Sequence, residues 1–226
     1  MKSKILGLAL GVAVLAASAA KADPIILTFE EPTLVAMSNS PGAMVPIASR
    51  LADQFLATVG VEFTSGGGFA AVVDHGFPLL TPTPPNVIGG TDAAGKLNYT
   101  APITASFFNP FNTSVQATTN HVKVLGELYG LGSGTVTLTA YDRFGGVLGT
   151  VSDVDNYPLG TGPVLEINTA GIQSVTFSGT SGTVAFDNFE FNAVTAVPEP
   201  ATWALAVGGF GLLGVALRRR RALALA

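Results

Sequence analysis

The feature that most constrains the fold is a regular alternation of apolar and polar residues in the second half of the chain. Val136, Leu138 and Ala140 alternate with threonines, and Val122 and Val124 flank a lysine. Successive side chains of a β-strand point to opposite faces, so this period of two predicts strands with one buried face. A helix would instead place apolar residues three or four positions apart.

The same alternation recurs along most of the chain and predicts nine or ten short strands separated by glycine-rich turns. Helix-like spacing occurs over 48–56, where a short helix or a turn is expected. The prolines within 78–95 predict one long surface loop, because proline cannot donate to a strand ladder. We expect an all-β fold, an antiparallel, jelly-roll-like β-sandwich. Its strands are expected at 25–29, 59–63, 69–73, 103–107, 122–124, 135–140, 147–151, 164–167, 172–177 and 183–191.

The N-terminal 22 residues have the pattern of a secretory signal peptide. A basic start is followed by an apolar run, and small residues lead to Ala20 and Ala22 just before Asp23. This order is typical of a segment that is removed after export. Residues 23–196 are therefore predicted to form one domain, long enough to bury a substantial core.

The C-terminal segment, residues 197–226, has three parts. Seventeen uncharged residues, 201–217, would span roughly 26 Å as a helix, the short end of what a bilayer core requires. The arginine cluster that follows predicts a cytoplasmic end. An ordinary tail anchor remains an alternative, but the segment opens with two prolines that keep its start extended. The order is Val197, Pro198, Glu199 and Pro200, the apolar run, and then Arg218, Arg219, Arg220 and Arg221.

These residues resemble the PEP-CTERM sorting signal of Gram-negative bacteria that make exopolysaccharide. The resemblance implies processing by an exosortase, a membrane-embedded cysteine transpeptidase that acts near the Pro-Glu-Pro tripeptide. It also implies a precursor held in the inner membrane and a mature form at the cell surface or in the extracellular matrix.

Charge and cysteine content restrict the partners of the exported part. Four basic and fourteen acidic residues lie between Asp23 and Val197, a formal charge of −10. Nucleic acid is therefore excluded as an expected partner, because phosphate binding depends on Lys and Arg. Divalent cations and neutral sugars are better candidates. The chain has no cysteine, which excludes disulfides and thiol nucleophiles.

The last predicted strand contains a change of phase. Val184 and Phe186 are apolar at even positions, whereas Phe189 and Phe191 are apolar at odd ones. One strand can bury both sets only if an extra residue is inserted, so a β-bulge is predicted at Asp187-Asn188.

The strands over 136–142, 171–177 and 184–189 resemble the jelly-roll ectodomain of many PEP-CTERM proteins, which is similar in fold to galactose-binding-like and carbohydrate-binding modules. The resemblance implies a structural Ca²⁺ where the first and last strands meet. Its ligands here would be Glu30, Glu31, Asp187 and Asn188, completed by carbonyls and water. The alternative is a polar bulge in which Asp187 caps backbone donors and the glutamates are solvated.

Other polar groups give weaker indications. The acceptors of 153–156 lack the pattern of an EF-hand and are typical of a turn. His75 and His121 have no paired nucleophile, so no catalytic residue is predicted. Loop aromatics are candidates for stacking on sugar rings: Phe77, Phe108, Phe111 and Tyr157.

Together these features predict an exported, non-enzymatic surface or matrix protein that associates with exopolysaccharide. A self-associating structural or adhesive module is the first alternative. A polysaccharide hydrolase, which would need two suitably spaced carboxylates in a cleft, is the second.

Overall fold

The computed structural model describes residues 23–31, 33–74, 83, 85–128, 134–155, 162–180 and 184–196. These residues form fourteen strands, one 3-10 helix and one single-turn α-helix, which confirms the all-β fold. The predicted signal peptide and the C-terminal segment from Val197 lie outside the described residues. No helix in the described part of the chain is long and apolar enough to cross a membrane.

The elements follow the alternating sequence pattern closely. The 3-10 helix covers Ile47–Ser49, and α1 covers Leu56–Val59. The strands are β1 (Ile25–Leu27), β2 (Met37–Ser38), β3 (Arg50–Leu51), β4 (Val61–Thr64), β5 (Ala70–Asp74), β6 (Asn86–Gly89), β7 (Ile103–Asn109), β8 (Asn112–Leu128), β9 (Gly134–Tyr141), β10 (Val147–Asp155), β11 (Val164–Ile172), β12 (Ser174–Gly179), β13 (Val184–Phe191) and β14 (Thr195–Ala196).

The strands form two layers joined at β8. The first layer has the order β2-β5-β6-β13-β8-β11, with β1 on β13 and β3 on β5. The second has the order β10-β9-β12-β7-β4. The β7–β8 hairpin connects them, and β14 pairs with the first half of β8. All described pairs are antiparallel except β2–β5, which is parallel.

Phenylalanine rings hold the two layers together. Phe177 of the second layer meets Phe186 of the first with ring centroids 4.8 Å apart. Phe63 and Phe107 of the second layer contact Phe189 at 5.4 and 6.3 Å. Each fully buried ring contributes about 1.5–3 kcal/mol by leaving water. Because the chain has no cysteine, no disulfide joins the layers, and their association depends on this aromatic core.

The prediction that 78–95 is a single surface loop is wrong. Residues Asn86–Gly89 form β6, and Val87 and Ile88 are buried between β5 and β13. The prolines that indicated a loop all precede this strand, so none of them interrupts its ladder. The stretch 48–56 also divides, because the 3-10 helix is followed by β3 and the α-helix begins only at Leu56.

Candidate functional site

The β-bulge predicted in the last strand is present. Between Asp187 and Glu190, β13 advances three residues while its partner β8 advances two, from Leu125 to Lys123. The extra residue lets Phe186 and Phe189 both enter the core, although one is even and the other odd. The bulge therefore explains how apolar residues at even and at odd positions of one strand are buried on the same face.

The bulge lies where β13 changes its neighbour on the other edge. Phe186 pairs with Ile88 of β6, whereas Phe189 pairs with Leu27 of β1. Asp187 and Asn188 occupy the gap between these two partners. Asn188 has φ +48° and Phe29, just beyond β1, has φ +61°, and in the described chain only these two non-glycine residues have positive φ. Left-handed backbone is costly at a non-glycine residue, so the packing around this gap must enforce the conformation of both residues.

Asp187 accepts hydrogen bonds from the loop that precedes β6. Its side chain is 1% exposed. The Thr83 amide and hydroxyl donate to Oδ2 at 3.3 and 3.0 Å, and the Asn188 amide donates to Oδ1 at 2.7 Å. Burial raises the pKa of Asp187 to about 6, with a further contribution from Glu30, while these hydrogen bonds oppose the rise. The carboxylate thus joins the bulge to a segment 104 residues away.

Glu30 approaches the same gap from the end of β1. It accepts a hydrogen bond from the Asn86 amide, and the Asn86 side chain donates to the Phe29 carbonyl at 2.9 Å. Burial raises the pKa of Glu30, and the neighbouring carboxylates of Glu31 and Asp74 raise it further. Oε2 of Glu31 is buried and has no hydrogen-bond partner among the described residues.

The structure therefore brings Asp187, Asn188 and Glu30 to one place, with Glu31 beside them. Within the described ranges, however, no three acidic or histidine side chains are grouped so that they would hold a metal ion. The oxygens of Asp187 already accept protein hydrogens. The carboxylates alone do not form a coordination shell, and calcium binding stays a prediction.

A second group of polar residues, which we call the polar cluster, lies on the outer face of the first layer. This cluster was not predicted from the sequence. The available signal was that His121 and Lys123 alternate with the buried valines of β8 and therefore point outward. The Lys123 ammonium donates to Oε2 of Glu190. Its members come from β8, β11 and β13: His121, Lys123, Glu166, Asn168 and Glu190.

His121 stands at the centre of the polar cluster between two acceptors. Nε2 lies 3.2 Å from Oε1 of Glu190, and Nδ1 lies 2.8 Å from Oδ1 of Asn168. The Asn168 amide nitrogen donates to Glu166 at 2.6 Å, which leaves its oxygen facing the imidazole. Each ring nitrogen of His121 therefore faces a side-chain oxygen of the polar cluster, which fixes the orientation of the imidazole.

The remaining sequence candidates are scattered. His75, Phe77, Asn156 and Tyr157 lie outside the described residues. Phe108 is half-buried, whereas Phe111 is 97% exposed.

The C-terminal strand connects the sandwich directly to the predicted sorting segment. In β14, Thr195 pairs with Thr118 and Ala196 pairs with Ala117 of β8. Val197, the first residue of the predicted segment, follows Ala196 without a spacer.

Comparison with known families identifies this segment. The PEP-CTERM protein-sorting motif matches residues 196–221. The match confirms the motif predicted at the C-terminus and implies export, processing by an exosortase and sorting to the cell surface. It covers the sorting segment only. A search of the curated proteins gives no match.

Among solved structures, the β-sandwich has distant likenesses. A DUF4465 family protein from Bacteroides caccae is 13% identical, covers 79% of this chain and 100% of its own, and has a TM-score of 0.36. The K2 cleaved adhesin domain of Lys-gingipain is 13% identical over 74% of this chain and 97% of its own, with a TM-score of 0.39. TmCBM61, solved with β-1,4-galactotriose, is 10% identical; the match covers 67% of this chain and 99% of TmCBM61, with a TM-score of 0.30.

Proposed function

We propose that this chain is a non-enzymatic protein of the cell surface or extracellular matrix whose jelly-roll-like β-sandwich associates with exopolysaccharide. The observation that carries the proposal is the sorting motif, which begins on the last strand of the sandwich. In this proposal the precursor is held in the inner membrane until an exosortase processes it. The exported domain is then the part that acts in the matrix.

The polar cluster supports a sugar as the ligand. Sugar hydroxyls donate and accept hydrogen bonds, and the cluster offers both kinds of group on a sheet face. Glu166 and Asn168 are exposed, and their contact with each other and with His121 fixes their positions before any ligand arrives. Preorganised polar groups lose less entropy on binding. The acidic balance of the domain favours a neutral polymer over an anionic one.

Mass spectrometry of the mature protein tests the sorting part of this proposal. We expect a C-terminus near Pro198-Glu199-Pro200 and no peptide that contains Arg218 or Arg221. Recovery of the arginine cluster on the surface-exposed protein would contradict exosortase processing.

Pull-down with matrix polysaccharide tests the glycan part. The full-length protein should be retained, and the double variant Glu166→Ala/Asn168→Ala should be retained several-fold less. The matched control is Thr137→Ala/Ser152→Ala, a hydrogen-bonded pair at 2.9 Å on the outer face of the second layer. Equal loss in both variants, or no retention of the parent, would contradict the proposal. Release of new reducing ends from the polysaccharide would show hydrolase activity instead.

Self-association is the second candidate function, and β10 is the observation that favours it. Among the described strands, β10 hydrogen-bonds only to β9 and is therefore an edge strand of the second layer. Val147 and Val154 on this strand are exposed. An exposed apolar edge is a template for strand pairing between copies. Sedimentation that shows concentration-dependent oligomers, abolished by Val154→Lys and without glycan binding, would favour this function.

Calcium at the bulge gap is tested separately. A cation bound to Glu30, Glu31, Asp187 and Asn188 would stabilise the folded state, because a ligand that binds only the native state raises the unfolding midpoint. We expect the midpoint to fall when a chelator is added and to recover with excess Ca²⁺. The variant Asp187→Asn should no longer respond. A midpoint that is the same with and without chelator would contradict calcium binding.

A further inference from the structure

The two ends of the sandwich differ in what they expose. Strand β4 connects the two ends. It begins after Gly60, which lies beside Phe108 and Val194. It ends at the turn of Ser65, whose hydroxyl donates to the carbonyl of Pro102. We call the Gly60 side the exit end, because Val194 leads into β14, where the described chain ends. The Ser65 side is the far end.

Two hairpin tips lie at the exit end. The β7–β8 hairpin turns just after Phe108, which bonds to the carbonyl of Gly60. The β9–β10 hairpin turns after Tyr141. The Tyr141 carbonyl accepts a hydrogen bond from the Gln173 amide, and the Gln173 carbonyl accepts one from the Phe107 amide, so this turn lies at the same end as Phe108. Both tips therefore project from the side where the chain leaves the domain.

Each tip carries an exposed phenylalanine. Phe111 is 97% exposed and Phe144 is 81% exposed, and in the described part of the chain these are the only aromatic side chains so exposed. Isolated exposed apolar residues need no explanation, but two exposed aromatic rings on hairpin tips at the same end of the sandwich are a pattern typical of a contact surface.

Both rings are presented by ordered turns. Oδ1 of Asn109 accepts from the Phe111 amide at 3.0 Å, and Oδ1 of Asp142 accepts from the Phe144 amide at 2.8 Å. The guanidinium of Arg143 lies 4.5 Å from the centre of the Phe144 ring. A cavity of about 410 Å³ separates this tip from Thr195 and Ala196 of β14. The Phe144 tip therefore lies beside the point of exit, and the Phe111 tip lies at the same end of the sandwich.

The membrane must lie close to this surface while the sorting segment is intact. Only four residues, 197–200, separate Ala196 from the apolar run that begins at Ala201. Four residues span at most about 14 Å when fully extended. This step rests on the proposed function, because it requires the apolar run to be inserted in the bilayer.

We propose that the Phe111 and Phe144 tips insert into the lipid headgroup region of the membrane that holds the precursor. Aromatic rings at exposed tips gain by leaving water for the interface, and Arg143 is placed to meet a lipid phosphate. The bilayer is the partner that the short connection dictates. Three contacts, the two tips and the apolar run, would hold the domain in a fixed orientation and keep the Pro-Glu-Pro tripeptide at the membrane surface.

Depth-dependent quenching in the full-length protein tests this inference. The chain has one tryptophan, Trp203, in the apolar run. Trp203→Phe provides a silent background into which Phe111→Trp, Phe144→Trp or Ile47→Trp is introduced. Ile47 is the control position, because it is also 81% exposed but lies toward the far end. Its neighbour Val45 donates to the carbonyl of Gly95, and Gly95 lies beside the far-end turn at Gly67. The protein is reconstituted in vesicles of phosphatidylethanolamine and phosphatidylglycerol that contain brominated phosphatidylcholine.

We expect strong quenching at positions 111 and 144 and little at position 47. Quenching of the native Trp203 in the parent protein reports insertion of the apolar run. Quenched Trp203 with unquenched tips would overturn this inference and leave the sorting proposal intact. Unquenched Trp203 would overturn both. Equal quenching at all three introduced positions would also overturn it, because contact would then be unspecific.

Discussion

Glu190 has two side-chain partners, Lys123 and His121, on one neighbouring strand. The Lys123 ammonium, by donating a hydrogen bond to the carboxylate, holds the pKa of Glu190 below its ordinary value of 4.5; partial burial opposes this effect, and His121 supports it. An acid whose pKa falls on folding stabilises the native state when it is ionised. The polar cluster therefore contributes to stability as well as offering a surface.

Glu190→Gln should lower the free energy of unfolding at neutral pH by roughly 1–2 kcal/mol, because a charged hydrogen-bonded partner of Lys123 is lost. The stabilising contribution is present above the unfolded pKa and is lost as the pH falls through the lower folded pKa. The gap between parent and variant should therefore close below about pH 4.5. Urea unfolding at a series of pH values, with chelator present, measures it.

Glu166→Gln is the matched control for this prediction. Glu166 belongs to the same cluster, but its side chain is 46% exposed, against 12% for Glu190. Exposed ion pairs contribute little, so its variant should unfold within about 0.5 kcal/mol of the parent. A gap for Glu190→Gln that stays constant down to pH 3 would contradict the linkage argument.

At the scale of the element, the bulge sets the partners of the whole strand. Asp187 faces Leu125, and the extra residue then places Glu190 opposite Lys123. If the register set by Asp187 and Leu125 continued one residue to one, Glu190 would face Val122, a buried position, and the ion pair could not form. One inserted residue therefore both buries the second pair of phenylalanines and assembles the polar cluster.

The backbone of Asn188 gives a test of the bulge. Its φ of +48° is left-handed, which asparagine tolerates and alanine does not. Asn188→Ala should destabilise the protein by roughly 1–2 kcal/mol. Asn188→Gly loses the same contact with the Thr83 hydroxyl but fits this backbone, so it should be less destabilised by about 1 kcal/mol. Equal losses in urea unfolding would show that the contact, rather than the conformation, matters.

The alternation of residues was sufficient to predict most strands and the bulge, because both depend on which face a side chain occupies. It could not predict which strands pair. Lys123 was recognisable as an outward residue, but its partner depends on a register that only the folded sheet defines. Likewise, nothing near Asp187 in sequence indicated Thr83, which lies 104 residues away. The strand β6 was missed because the prolines before it dominated that stretch.

At the scale of the whole molecule, stability depends on the aromatic seam between the layers. Phe189 is fully buried and its ring contacts those of Phe63, Phe107 and Phe177. A small domain has only about 5–15 kcal/mol of net stability, so the loss of one such ring is severe.

Phe189→Ala should cost about 3–5 kcal/mol, since it removes ring contacts to both layers and leaves a cavity. Phe111→Ala is its control, because that ring is exposed and its removal should change the unfolding free energy by less than about 0.5 kcal/mol. Circular dichroism during urea unfolding measures both. Similar losses in the two variants would contradict the assignment of the core.

The pairing of β14 with β8 brings the start of the sorting motif directly against the folded sandwich. The last described residue is hydrogen-bonded into the sandwich, and the tripeptide begins two residues later. A product joined to the surface through that tripeptide would carry only Val197 between β14 and the tripeptide, so we expect its height and tilt above the surface to vary little. Many copies would then form a coat of even thickness, with every exit end inward and every far end facing the surroundings.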